Sequence, residues 1–135
     1  MSKRLIWLTV FIILVSLFAV SCSGGTTSTS IGGAKIEMGD GYDDDLYIIS
    51  PRTSFSAGED FYISFDNNAS FDSNSITIQA DDAETGEFFG EISYDVDPEW
   101  TIMVTVPVNI GEPGKYKFKA IINGTVRATQ DIIIN

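Results

Sequence analysis

Three groups of carboxylates stand out along the 135 residues. Asp43, Asp44 and Asp45, with Asp40 close by, lie in a Gly-rich stretch. Asp81, Asp82 and Glu84 form a second group, and Asp95-Val96-Asp97-Pro98-Glu99 a third. Asp95 and Asp97 are two residues apart, so an extended chain carries both on one face. Hard cations such as calcium take several carboxylate oxygens at once, which makes Asp43, Asp45, Asp95 and Asp97 the candidate metal ligands. The spacing is not that of an EF-hand loop. Two carboxyl groups converging in a cleft would instead be glycosidase machinery. The simpler expectation is a solvated charge run at the first group and, at the third, a polar loop that protects a sheet edge. No cofactor is expected, with calcium the one candidate.

The chain has no His and one Cys, Cys22. That excludes an internal disulfide, Cys/His zinc sites, a Ser–His–Asp triad and a Cys–His dyad. A Ser–Lys pair and a carboxylate pair are the catalytic arrangements left. No enzyme activity is expected.

Cys22 is the other residue with chemistry of its own, and its context defines it. Lys3 and Arg4 precede Leu5 to Val20, an apolar run of 16 residues interrupted by Thr9 and Ser16. The run is short for a membrane span, and no cationic stop follows it. Ala19-Val20-Ser21-Cys22 resembles the lipobox of bacterial lipoproteins. The resemblance covers residues 1–22. It implies a signal peptide over residues 1–21, cleavage before Cys22, and a diacylglycerol on its thiol. In the double-membrane bacteria where such proteins are known, Ser after the Cys favours the outer membrane and Asp the inner. Ser23 therefore implies the outer membrane of such a cell envelope.

Ser23 to Gly33 reads SGGTTSTSIGG. Residues this small and polar bury no core, so 22–33 is expected to be a flexible tether spanning roughly 17–20 Å. The tether leads to one domain over residues 34–135. Past the signal, six cations face 19 acids, a formal charge of −13. A surface this acidic repels phosphate backbones and anionic lipid heads, so nucleic acid is not expected and attachment to a membrane must come from the lipid. Seventeen of the acids lie between Glu37 and Glu99, with one cation, Arg52.

These residues must be positioned by strands, because no stretch after Cys22 has a helical period. Phe61, Ile63 and Phe65 alternate with Tyr62 and Ser64. Ile76, Ile78 and Ala80 alternate with Thr77 and Gln79. Lys35–Met38, Leu46–Ser50, a looser Phe88–Val96 and Val126–Ile134 add further runs. Trp100, Ile102, Val104 and Val106 alternate with Thr101, Met103 and Thr105. Tyr116, Phe118, Ala120 and Ile122 alternate with Lys115, Lys117, Lys119 and Ile121. Asn123-Gly124 between two such runs predicts a type I′ hairpin turn. Seven or eight short strands with turn signals between them predict an all-β antiparallel sandwich.

Glu112-Pro113-Gly114-Lys115-Tyr116-Lys117-Phe118 resembles the start of strand F in immunoglobulin-like domains, where a Gly two residues before a Tyr introduces a tyrosine corner. Gly114 and Tyr116 fill those places, and Phe118 stands where antibody domains carry a Cys. The resemblance implies an immunoglobulin-like or fibronectin-III-like domain, with Ile76 and Ile78 in the space of the missing disulfide and strand-C Trp.

Three further features have two readings each. Lys115, Lys117 and Lys119 form a basic stripe for an anionic glycan or acidic partner, or a solvent face paired with acids on adjacent strands. Tyr42, Tyr47, Phe89, Tyr94 and Trp100 form a sugar-stacking platform, or they are core. Asn68-Ala69-Ser70 and Asn123-Gly124-Thr125 match the glycosylation sequon, but by chance in a bacterium, and Asn123 has its turn role. The expected function is a membrane-anchored, non-enzymatic binding or scaffold module, monomeric as a domain, whose partner is an envelope protein or a glycan. The alternatives are a carboxylate-dependent glycan hydrolase and a structural subunit of an envelope complex.

Overall fold

Two-residue alternation marks the longer strands, most fully Gly114–Ile122. A computed structural model describes residues 27–135, and all its regular structure is β. The expected signal peptide, Cys22 and the first residues of the expected tether lie outside the described residues. Twelve strands are formed, more than the seven or eight the turn signals predict: β1 (Ser28–Ser30), β2 (Lys35–Gly39), β3 (Gly41–Tyr42), β4 (Ile48–Ile49), β5 (Ser54–Phe55), β6 (Asp60–Asp66), β7 (Ser75–Asp82), β8 (Phe88–Asp95), β9 (Ile102–Val104), β10 (Val108–Asn109), β11 (Gly114–Ile122) and β12 (Thr125–Ile134). The excess consists of two- and three-residue strands, too short to leave an alternating signature in sequence.

The larger sheet runs β1-β12-β11-β7-β8, all antiparallel, with β5 added in parallel beside the end of β12. The smaller sheet centres on β6, which has β2 along one edge and β9 followed by β10 along the other. The two sheets pack face to face as a sandwich and do not close into a barrel. β3 and β4 form a hairpin of their own. Gly39 is needed where β4 passes β2, since a Cβ there would lie 2.5 Å from Cγ2 of Ile48.

The inner faces meet in aromatic contacts. Phe61 of β6 stacks on Phe55 with ring centroids 4.4 Å apart, and meets Phe118 of β11 edge-on at 6.2 Å. Phe61, Ile63, Phe65, Ile76, Ala120 and Ile132 are fully buried. β11 follows its pattern throughout, with Tyr116, Phe118, Ala120 and Ile122 inside and the lysines outside. β11 turns into β12 through Asn123 and Gly124, both at positive φ (51° and 78°), with Ile122 paired to Thr125. That is the backbone of a type I′ turn.

Two segments depart from the sequence reading. Ser28–Ser30, assigned to the tether, pair with Gln130, Thr129 and Ala128 as an edge strand. Backbone bonds and the Thr29–Thr129 hydroxyl contact of 2.7 Å hold this strand, so it needs no apolar side chain. Around β9 the alternation runs in the opposite phase. Met103 and Thr105 are buried, whereas Trp100 and Val106 are 54% and 59% exposed. The phase follows from hydrogen bonding: the Thr105 hydroxyl accepts the Ile63 N–H at 3.1 Å, and the Thr105 N–H donates to the Ile63 carbonyl at 2.9 Å.

Candidate functional site

The carboxylates mostly serve the turns. Asp43 Oδ1 accepts the N–H groups of Asp45 and Tyr47, at 2.9 and 3.0 Å, in the β3–β4 loop. Asp66 takes the Asn68 N–H, Asp82 those of Glu84 and Thr85, and Asp97 that of Glu99. Each is an Asx-type turn in which a side chain satisfies loop amides. The Thr85 and Glu84 amides outweigh the cost of burial and hold the Asp82 carboxyl below the usual range. Asp43 and Asp45 thus sit in one loop, whereas Asp95 is the last residue of β8 and Asp97 lies in the turn after it. Among the described residues, no three Asp, Glu, Cys or His side chains group closely enough to hold a metal ion.

The lysine stripe has acids beside it. Lys119 Nζ lies 2.6 Å from Asp81, while Lys117 and Lys115 lie 3.9 and 4.0 Å from Asp131. Register sets these contacts: Lys117 is opposite Asp81 on β7 and Asp131 on β12. Asp81 and Asp131 are buried under the lysine stems, 5% and 4% exposed. Burial alone would raise the Asp81 pKa. The hydrogen bonds from Lys119 and Gln79 and the charges of Lys119 and Lys117 outweigh it and hold the carboxyl below its usual range. On the smaller sheet's side, Arg52 bridges Asp40 and Glu59 and lies over the Phe55 ring at 4.2 Å. The Arg52 hydrogen bond is the main reason the Glu59 carboxyl titrates low.

Tyr116 is buried beside Gly114, and its hydroxyl donates to the Glu112 carbonyl at 2.8 Å, four residues upstream. Burial first, then the Glu112 and Asp82 charges, raise its pKa. A bulge in β8 lets Phe89 turn inward against the same ring, with centroids 4.9 Å apart.

The five aromatics named as a platform are divided. Tyr42 packs edge-on against Tyr62 at 5.2 Å, Tyr47 lies near Lys35, and Trp100 lines a shallow hollow with Leu46 and Ile102. Phe89 and Tyr94 belong to β8. There they border an apolar cleft of about 230 Å³ between β8 and β10. Its floor is Ile78, Ala80 and Phe118, and its rims are Ile92 on one side and Val108 and Ile110 on the other.

The cleft lies where β8 ends the larger sheet, facing Val108 and Ile110 of the smaller sheet's edge across an open gap. Ile92 is 47% exposed although its register partner Ile78 is buried. Tyr94 packs on the core, and its buried hydroxyl lies beside Thr105 and Val106 without a hydrogen bond of ordinary geometry. Burial raises its pKa. On the outer face, Thr77 and Ser93 share a hydroxyl contact of 3.0 Å, which fixes Glu91, Ser93 and Asp95 as the outward row of β8. Neither Glu91 nor Asp95 has an ion-pair partner among the described residues. The sequence offers Phe89 and Tyr94 as platform or core, but nothing in it groups them with Ile92 around a cleft, because all three have the composition of core residues.

No protein-family model matches the chain, and no curated protein matches it. A solved structure does. The crystal structure of the PmoD soluble domain from Methylocystis sp. (Rockwell) is 12% identical, with a TM-score of 0.45, over 76% of this chain and 90% of that one.

Proposed function

We propose that the protein is a lipid-anchored, non-enzymatic binding module of a bacterial cell envelope, built on an immunoglobulin-like sandwich. The anchor rests on the Lys3-Arg4 start, the apolar run and the Ala19-Val20-Ser21-Cys22 sequence, with Ser23 favouring the outer membrane. The immunoglobulin-like assignment is supported by the hydrogen bond from Tyr116 back to Glu112 at the entry to β11. The binding role rests chiefly on one observation: the half-open apolar cleft along the unpaired edge of β8. Exposed, contiguous apolar surface rimmed by polar groups is characteristic of interaction sites. The cleft is smaller than the roughly 300–1,000 Å³ of ordinary small-molecule pockets, and it suits one or two side chains of a macromolecule.

The anchor is tested by Cys22→Ala. Labelling by a palmitate analogue should vanish and the protein should leave the membrane fraction. Persistent labelling would remove the anchor from this reading. The binding role is tested by pull-down from detergent-solubilised envelope, where a stoichiometric macromolecular partner is expected.

A further inference from the structure

We propose that β8 is a strand-acceptor edge, and that its occupant is an extended segment of another protein in which apolar and basic residues alternate. The inference rests on the binding-module reading and gives it a site and a partner chemistry.

β8 is eight residues long and pairs only with β7, so one side of its backbone has no strand partner among the described residues. Unpaired N–H and C=O groups in a row are a template for an added strand. The two faces of that edge specify the strand. Inside, Ile92 and the cleft over Ile78 and Phe118 take apolar side chains. Outside, Glu91 and Asp95 are exposed acids without a cation opposite. An incoming strand with period two would place its apolar residues in the cleft and its cations against these acids.

The same sheet already contains this pairing. β11 alternates Lys115, Lys117 and Lys119 with Tyr116, Phe118 and Ala120, and it lies between two strands that carry acids, Asp81 on β7 and Asp131 on β12. β8 offers the acidic half of that arrangement with the basic half missing. A second copy of the chain fits poorly. Two β8 edges set antiparallel about Glu91 would bring like charges together, and neither edge supplies a cation for the other's acids. The chain's own first strand is not available either, since Ser28–Ser30 occupy the opposite edge of the sheet, beside β12.

The test uses the full chain purified in mild detergent and a synthetic eight-residue peptide with the sequence of residues 115–122. Set antiparallel to β8, that peptide puts its first and third lysines opposite Asp95 and Glu91 and its phenylalanine opposite Ile92. Binding followed by amide chemical shifts should perturb β8 and the cleft. It should be about tenfold tighter than binding of the same peptide with glutamate at the three lysine positions, because like charges would then face one another. Glu91→Lys/Asp95→Lys, two exposed positions that leave the fold intact, should reverse the preference. N-methylation along one edge of the peptide should abolish binding. Equal affinity for the two peptides, no binding at millimolar peptide, or perturbation away from β8 would overturn the proposal. So would concentration-dependent self-association that Ile92→Lys removes, which would make a second copy the occupant. Capture of the same envelope partner by the wild type and by Glu91→Lys/Asp95→Lys would sink the edge and leave the binding-module reading standing. Retention of Cys22→Ala on membranes would sink the anchor and leave the edge untouched.

Discussion

β7 has two neighbours, and they differ in almost every respect that matters. On one side β11 continues the sheet. Its outward lysines stand against acids, its inward residues are buried, and its tyrosine hydroxyl is bonded. On the other side β8 ends the sheet. Among the described residues its outward acids Glu91 and Asp95 have no ion-pair partner, Ile92 is half in water, and the Tyr94 hydroxyl has no regular hydrogen bond. Both strands pair with β7 over most of its length. Backbone pairing alone therefore does not complete a strand; a second neighbour and a covering sheet do.

The largest expected contrast is between register partners. Ile78 and Ile92 lie opposite each other on the inner face, 5% and 47% exposed. Ile78→Ala should cost about 2–5 kcal/mol, the usual range for a buried aliphatic truncation. Ile92→Ala should cost under about 1 kcal/mol, since much of its surface is already wet. Urea unfolding of the two variants measures the difference. Equal costs would mean that β8 is covered in solution, and the contrast between the two sides of β7 would fail.

Next in size is the ion pair beside β11. Lys119→Met leaves the buried Asp81 carboxylate without its closest cation. A loss of about 2–3 kcal/mol at neutral pH is expected, less than for a fully enclosed pair because the Lys119 side chain keeps 29% of its exposure. Asp81 is held below its ordinary pKa in the folded protein. Its contribution is therefore present above the unfolded value, near 3.9, and is lost as pH falls through the folded value. The gap between wild type and Lys119→Met should be widest at neutral pH and close below about pH 4. A gap that stays constant into acid would show that Lys119 acts through its methylene stem rather than its charge.

How much of this was legible depends on how completely each element obeys one rule. β11 and its turn could be read outright: four inward residues alternate with three lysines, and Asn-Gly follows at once. β9 could not, because Trp100 and Val106 are more hydrophobic than the Met103 and Thr105 that are buried, and a threonine-to-backbone bond decides the phase. Ser28–Ser30 carry no apolar signal because an edge strand held by backbone bonds needs none. The turn roles of Asp43 and Asp97 did have a signal, an Asp two residues before an amide in a loop, but clustered acids read more readily as a solvated charge run or a polar loop, with calcium the alternative. The cleft was the least legible feature. Phe89, Ile92 and Tyr94 look like core, and only the absence of a strand above them makes them a surface.

The smallest expected effect is the most discriminating, because it compares two tyrosines that differ in one atom's surroundings. Tyr116→Phe removes the hydroxyl that donates to the Glu112 carbonyl at 2.8 Å. It leaves that partly buried acceptor unpaired and should cost about 1–2 kcal/mol. Tyr94→Phe removes a hydroxyl that is buried but makes no hydrogen bond of ordinary geometry. The ring stays, so packing on Ile76, its register partner, is preserved. What disappears is the desolvation of a polar group, so stability should be unchanged or rise by up to about 1 kcal/mol. Thermal midpoints of the two variants, measured side by side, give the answer. A loss at Tyr94 as large as at Tyr116 would mean that its hydroxyl bonds to Thr105 or Val106 in solution, tying the end of β8 to the smaller sheet.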